Sequence, residues 1–244
     1  MKPDNPPAPA DLLDWNTIDL VVFDVDGTLY DQRRLRLAML RQLLGHAWQT
    51  RSLDTLRTLR TFRRVREALG EQTGADFMEV QYAQTASRHG KTPGAVRALV
   101  AEWLEERPLP LLAGCRYAHV GEVFGGLRAS SKRVAAFSDY PAVAKLAALG
   151  LAADPVVCAT DPGIERLKPD PAGLLEILRQ TGVAPERALM IGDRFDRDGA
   201  AAGRAGMRAL IRSGQPHPQW TTFQGYDDPV FQPLLAGRGV PAQD

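Results

Sequence analysis

A chain of 244 residues, 44% apolar and 24% charged, is long enough for one large domain or for a core carrying a smaller insert, and its composition excludes a fibrous or wholly disordered protein. The formal charge of +1 leaves no global field to recruit nucleic acid or a membrane surface, so partners have to be argued from sites. No run approaches the roughly 20 apolar residues of a bilayer span, and Cys115 and Cys158 have no Cys or His at ligand spacing, which points to a reducing, cytoplasmic setting.

Met1 to Asp11 is rich in Pro and Ala and lacks the apolar stretch of a secretory signal, so residues 1–16 are read as a disordered leader. Ile18 to Phe23 (IDLVVF) is a short apolar run with β-branched residues, suited to a strand buried on both faces of a parallel sheet. From Gln32 to about Arg107 no strand-like run occurs, and apolar residues recur at helical spacing: Leu35, Met39 and Leu43, then Leu53, Leu56, Leu59 and Phe62, then Val65 and Leu69. Further helices are expected at Ala75 to Arg88 and Pro93 to Glu106, with Pro93 in a first turn. This stretch, 32–107, reads as an inserted all-helical cap domain, whose core would hold Trp48 and Trp103. Residues 17–31 and 108–244 are then one discontinuous core.

Beyond Pro108 and Pro110, strand-like runs recur at Val134 to Phe137, Pro155 to Ala159, Ala188 to Ile191 and Arg208 to Ile211. Helix-like stretches at Tyr140 to Leu149, Pro171 to Thr181 and Asp198 to Ala205 separate them, each followed by a glycine fit for a C-cap. The alternation predicts an α/β fold: a Rossmann-like parallel sheet with helices on both faces. The chain after Gly214, dense in Pro and Gly, reads as irregular packing or a loose tail.

In an open parallel sheet, ligands bind beyond the carboxyl ends of the strands. Asp24 and Asp26 stand there after the first strand, Ser138 and Asp139 after the second, and Asp193, Asp196 and Asp198 after the fourth, with Lys168 ahead of the preceding helix. Clustered carboxylates repel unless neutralised, and a hard cation with oxygen ligands does this; Mg²⁺ also keeps sites for substrate phosphate. An aspartate can attack phosphorus, and a turn at Gly27 can bring Asp26 back to give and take a proton. Lys168 and Ser138 would stabilise the phosphoryl group. Plainer roles exist as well: Asp193, Asp198 and Ser138 as helix caps, and Asp196 as a cap or a group behind the ligands rather than a metal ligand itself. Ten arginines between Arg33 and Arg66 face only Asp31, Asp54 and Glu67, either as a positive lid surface or as solvated helix faces.

The segments Asp24-Val25-Asp26-Gly27-Thr28, AAFSD (135–139), KPDP (168–171) and GDRFDRD (192–198) resemble, in order, the four motifs of the haloacid dehalogenase superfamily of phosphohydrolases. The helical insert directly after the first is similar to the cap of the phosphoglycolate phosphatase and β-phosphoglucomutase branch. That resemblance implies a Mg²⁺-dependent phosphomonoester hydrolase that acts on a small phosphorylated metabolite through an aspartyl phosphate. Asp24 would be the nucleophile, Asp26 the acid/base and a metal ligand through its backbone carbonyl, and Asp193 and Asp198 further metal-site acids. Gly27, Thr28, Ser138, Asp139 and Lys168 would hold substrate. A phosphotransferase would use the same aspartate but shield the intermediate from water. A dehalogenase would not need Asp26, and a noncatalytic binding module would not need the full set. A membrane or nucleic-acid partner is not expected, and the oligomeric state stays open, a homodimer included.

Overall fold

The computed structural model describes residues 13–70 and 77–236. Six strands form one parallel sheet: β1 (Leu20–Phe23), β2 (Arg133–Ser138), β3 (Val156–Cys158), β4 (Ala188–Gly192), β5 (Arg208–Arg212) and β6 (Thr221–Phe223), in the spatial order β3-β2-β1-β4-β5-β6. The central strand β1 is buried at every position, as its unbroken apolar run requires. Its last residue, Phe23, lies in register with Ala136 of β2 and Ile191 of β4, so the segments that follow all three strands emerge at one edge.

Period-two alternation divides the strand side chains between two apolar layers. Val21, Phe23, Ala136 and Ile191 pack with α6 (Val120–Ala129) and α7 (Val143–Ala148), while Val22, Phe137, Met190 and Ile211 pack with α8 (Ala172–Thr181) and α9 (Ala200–Arg204). Gly182 ends α8 at φ 68°, the left-handed conformation expected of a helix C-cap.

Between β1 and β2 the chain is helical: α1 (Gln32–Thr50), α2 (Asp54–Gly70), α3 (Phe77–Arg88), α4 (Pro93–Val100), which runs into a π-helical turn over Ala101–Glu106, and α5 (Leu109–Leu112). Asp31 caps α1 by accepting from the amides of Arg33 and Arg34, and Thr92 caps α4 with Pro93 in the first turn. Trp103 is buried, but Trp48 is 86% exposed, contrary to the expectation of a core residue. The reason is geometric: it lies nine residues past Met39 of the buried stripe, about two and a half turns, on the opposite face of α1.

Three further expectations are corrected. The leader does not extend to residue 16: Asp14 caps a 3₁₀ turn over Trp15–Thr17, and the buried Trp15 indole donates to the Val230 carbonyl at 2.7 Å; residues 1–12 lie outside those described. The segment past Gly214 supplies β6 and α10 (Gln232–Leu235), with Tyr226, Phe231 and Leu234 buried in the core. Helix α6 had no counterpart among the expected elements. Among the described residues, no helix is long and apolar enough to cross a membrane.

Candidate active site at the carboxyl edge of the sheet

Asp24 follows β1 directly, and its amide donates to the Ile191 carbonyl at 2.9 Å, which ties it to the neighbouring strand. Its side chain is buried: Oδ1 accepts from Lys168 Nζ at 2.5 Å and Oδ2 from Thr28 Oγ1 at 2.9 Å. The chain turns immediately afterwards, with the Leu29 amide donating to the Val25 carbonyl at 3.1 Å. Gly27 makes the turn at φ 100°, and a Cβ there would lie 2.5 Å from Asp193 Oδ2. Only glycine lets the carboxylate after β4 come this close. The hydroxyl of Tyr226 braces the turn by donating to the Thr28 carbonyl at 3.0 Å.

Lys168 is buried between two acids, reaching Asp198 Oδ1 at 2.7 Å as well as Asp24. Asp198 Oδ2 accepts from the amides of Asp193 and Arg194 at 3.1 and 3.0 Å, so one carboxylate holds both the lysine and the loop after β4. Asp139 Oδ1 accepts from the Lys168 amide at 3.0 Å and positions the lysine from the other side.

These groups shift one another's proton affinity. Burial pushes Asp24 well above the usual carboxylate range; Lys168 opposes this, while Asp198 and Asp193 add to it. Asp193 is pushed up to about 6, by burial first and then by Asp198. Burial works against the charge on Lys168, yet Asp198, Asp24 and Asp139 together hold it protonated. Oxygens of Asp24, Asp193 and Asp198 lie within 4.8 Å of one another. An all-oxygen, acid-rich set in which Asp24 and Asp193 resist ionisation, beside a cradle that a Cβ would fill, fits a hard divalent cation.

Asp26 is the counterpart of this arrangement. Burial would raise its pKa, but Lys145 Nζ, at 2.7 and 2.6 Å from its two oxygens, and the Tyr30 hydroxyl outweigh burial and keep it ionised. Neither partner was recognised in the sequence. The available signal was that Lys145 is the lone charge in the apolar run Pro141 to Ala153.

A cavity of about 210 Å³ opens over these groups; Asp24, Asp26, Asp139, Lys168, Asp193 and Asp198 line it. Gly27, Thr28 and Ser138, expected to hold substrate, are not among the residues of its wall. The Thr28 hydroxyl is spent on Asp24, and the buried Ser138 Oγ accepts from the Tyr140 amide at 3.2 Å in a local turn; the N-cap of α7 is Ala142, so Ser138 is not the helix cap that was its plainer expected role. Asp196 pairs with Arg194 at the surface. From the helical segment, Arg66 lies buried over Tyr140, 4.1 Å from the ring centroid, and bonds to the Asp139 carbonyl. Next to it, Glu67 meets Arg194 at 2.7 Å, and its carbonyl accepts from Arg197 at 3.0 Å.

A parallel α/β sheet with a buried aspartate after its central strand, facing a buried lysine, defines an enzyme-like crevice. The chain matches the haloacid dehalogenase-like hydrolases over residues 18–206 and belongs to that family. It is 31% identical over 199 residues to a phosphoglycolate phosphatase of Rhodospirillum rubrum, covering 79% of this chain and 78% of that one. Similarity to a glyceraldehyde 3-phosphate phosphatase of Methanopyrus kandleri is 44% identity over 61 residues, and spans only 25% of either chain. The fold is shared with the putative HAD-hydrolase YfnB from Bacillus subtilis, solved bound to magnesium, at TM-score 0.65 and 14% identity over 90% of this chain and 99% of that one.

Proposed function

We propose that the protein is a Mg²⁺-dependent phosphomonoester hydrolase that acts on a small phosphorylated metabolite through a phosphorylated Asp24. The observation that carries this reading is the buried Asp24 carboxylate, 2.5 Å from Lys168 and grouped with Asp193 and Asp198, at the floor of an open cavity. The phosphatase names of two relatives point the same way. At about 210 Å³ the cavity is smaller than the roughly 300–1,000 Å³ of sites for drug-sized ligands.

In the first step an Asp24 oxygen attacks phosphorus and the ester oxygen departs, taking a proton from Asp26 to leave as an alcohol. In the second step water attacks the phosphorylated Asp24, Asp26 takes a proton from that water, and inorganic phosphate and the carboxylate are released. The free protein holds Asp26 as a carboxylate against Lys145, the form the second step needs. An entering phosphate dianion competes for Lys145 and raises the proton affinity of Asp26, which supplies the acid for the first step. Lys168 stays protonated and counters charge on Asp24 and on the phosphoryl oxygens. Asp24 and Asp193, with the Asp26 carbonyl, would hold the Mg²⁺, while Asp198 is largely committed to Lys168 and to two amides. When bound, the ion supplies positive charge to the phosphoryl oxygens.

Asp24→Asn should lower p-nitrophenyl phosphate turnover by more than about 10³-fold. EDTA should silence the native protein and Mg²⁺ restore it. Acid quenching during turnover should trap phosphate on the native chain and none on the variant. Undiminished hydrolysis by folded Asp24→Asn protein defeats the reading.

A further inference from the structure

The cavity has seven cationic side chains in its wall. Five are engaged within the protein: Lys168 by Asp24 and Asp198, Lys145 by Asp26, Arg66 by Gln81 and the Asp139 carbonyl, and Arg194 and Arg197 by Glu67. The other two, Arg36 of α1 and Arg63 of α2, make no side-chain hydrogen bond or ion pair among the described residues, although both line the cavity. They are also close enough to feel each other: burial lowers the Arg63 pKa first, Tyr140, Asp26 and Tyr30 oppose this, and the Arg36 charge adds to the lowering. Two guanidinium groups that share a pocket wall repel, and the carboxylate that acts on Arg63, Asp26, is already paired with Lys145, so an anion placed between the arginines relieves that repulsion.

We infer that Arg36 and Arg63 form a second anion subsite facing the Asp24–Lys168 floor, and that the substrate is a short phosphorylated carboxylic acid. The inference rests on the phosphatase reading and narrows it to a substrate class. The cavity of about 210 Å³ limits the spacer to a few atoms, and a carboxylate is the small planar acceptor that guanidinium groups pair with in two-point geometry. Leu35, Met39 and Leu112, also in the wall, offer a short spacer apolar contact and the neutral end of an alcohol or aldehyde no charge partner. Of the two phosphatase relatives, this chemistry favours the kind of substrate named for the Rhodospirillum rubrum protein over that named for the Methanopyrus kandleri one.

The test uses matched esters: 2-phosphoglycolate, 2-hydroxyethyl phosphate, which replaces its carboxylate with CH₂OH, and ethane-1,2-diyl bisphosphate. Native enzyme with Mg²⁺ should show kcat/KM at least about 30-fold higher for the carboxylate than for the hydroxyl ester. Arg36→Gln and Arg63→Gln should each shrink that ratio about 10-fold, chiefly through KM, and Arg63→Lys should keep part of it. A native ratio near one, a ratio unmoved in both variants, or preference for the bisphosphate overturns the carboxylate subsite. Calorimetric titration of the same esters into Asp24→Asn protein reads the ratio as Kd values. The subsite is thereby tested even if no ester is hydrolysed, the outcome that would count against the phosphatase reading instead.

Discussion

The edge of the sheet and the helical segment above it are built on opposite terms. At the edge, Asp24, Lys168 and Asp198 are buried, and each is held by partners from at least two separate stretches of chain. In the helical segment, α1 turns Leu37, Leu40, Leu44 and Trp48 to solvent, and its cavity-facing Arg36 lacks a partner among the described residues. The two regions share polar contacts at Arg66 and Glu67 of α2 and apolar packing, with Leu35, Met39, Leu59 and Phe62 in the layer of Phe23, and Phe77 in the layer of α8 and α9. The difference teaches that the reacting groups are fixed by buried polar partners, whereas Arg36 over them is placed by its helix alone and has its charge left for substrate.

Breaking the rigid side should produce the largest effects. Lys168→Met leaves Asp24 and Asp198 buried without their shared cation, a change that removes about 3–5 kcal/mol in buried pairs of this kind. Urea titration in EDTA should register that loss, and p-nitrophenyl phosphate turnover should fall by at least about 10²-fold. Gly27→Ala comes next. At φ 100°, with a Cβ 2.5 Å from Asp193 Oδ2, alanine is strained and pushes the acid aside. We expect about 1–3 kcal/mol of destabilisation and a Mg²⁺ activation curve displaced to higher concentration; an unchanged curve would mean that Asp193 does not need Gly27 to approach.

How far the sequence exposed each region follows from the same contrast. The run before Asp24 is apolar at every position because β1 is covered on both faces, so strand and crevice acids were readable together. Lys145 was not, since a lysine on a helix is normally a surface residue, and only the fold shows α7 aiming it at Asp26. Arg66 was one of ten cap arginines; its burial against Tyr140 is a tertiary fact without local signature. Helix α6 was hidden by Gly121, Gly125 and Gly126, which lower helix propensity. Gly126 is there for packing, because a Cβ would lie 2.2 Å from the Leu234 carbonyl oxygen. Strand β6 was obscured by Pro216 and Pro218 just before it, and by a length of three residues.

The contact between the regions is sharpened by Arg66→Ala. It removes the stack on Tyr140 and the bonds to Gln81 and the Asp139 carbonyl, groups whose loss removes about 1–3 kcal/mol. Because these bonds join α2 to the loop after β2, the expected signature is regional: faster amide exchange in α2 with β1 unchanged, and KM raised about tenfold. Equal acceleration in both would mean that the two regions open as one unit.

The smallest effect belongs to Trp48→Gln. Large-to-small changes in a core remove several kcal/mol because they delete contacts and leave a cavity, but an indole that is 86% exposed has few contacts to delete. Its neighbours along the outer line of α1, Leu44 and Leu40, are half and two-fifths exposed, so no pocket closes over it. The denaturation midpoint should therefore correspond to a change within about 0.5 kcal/mol, and phosphatase kinetics should be unaltered. Fluorescence supplies the control: Trp15 and Trp103 are buried and emit from apolar surroundings, so loss of the one solvated indole on α1 should shift the folded spectrum to the blue. A clear loss of stability would show instead that the outer face of α1 is packed, and the contrast between the two regions would lose its support.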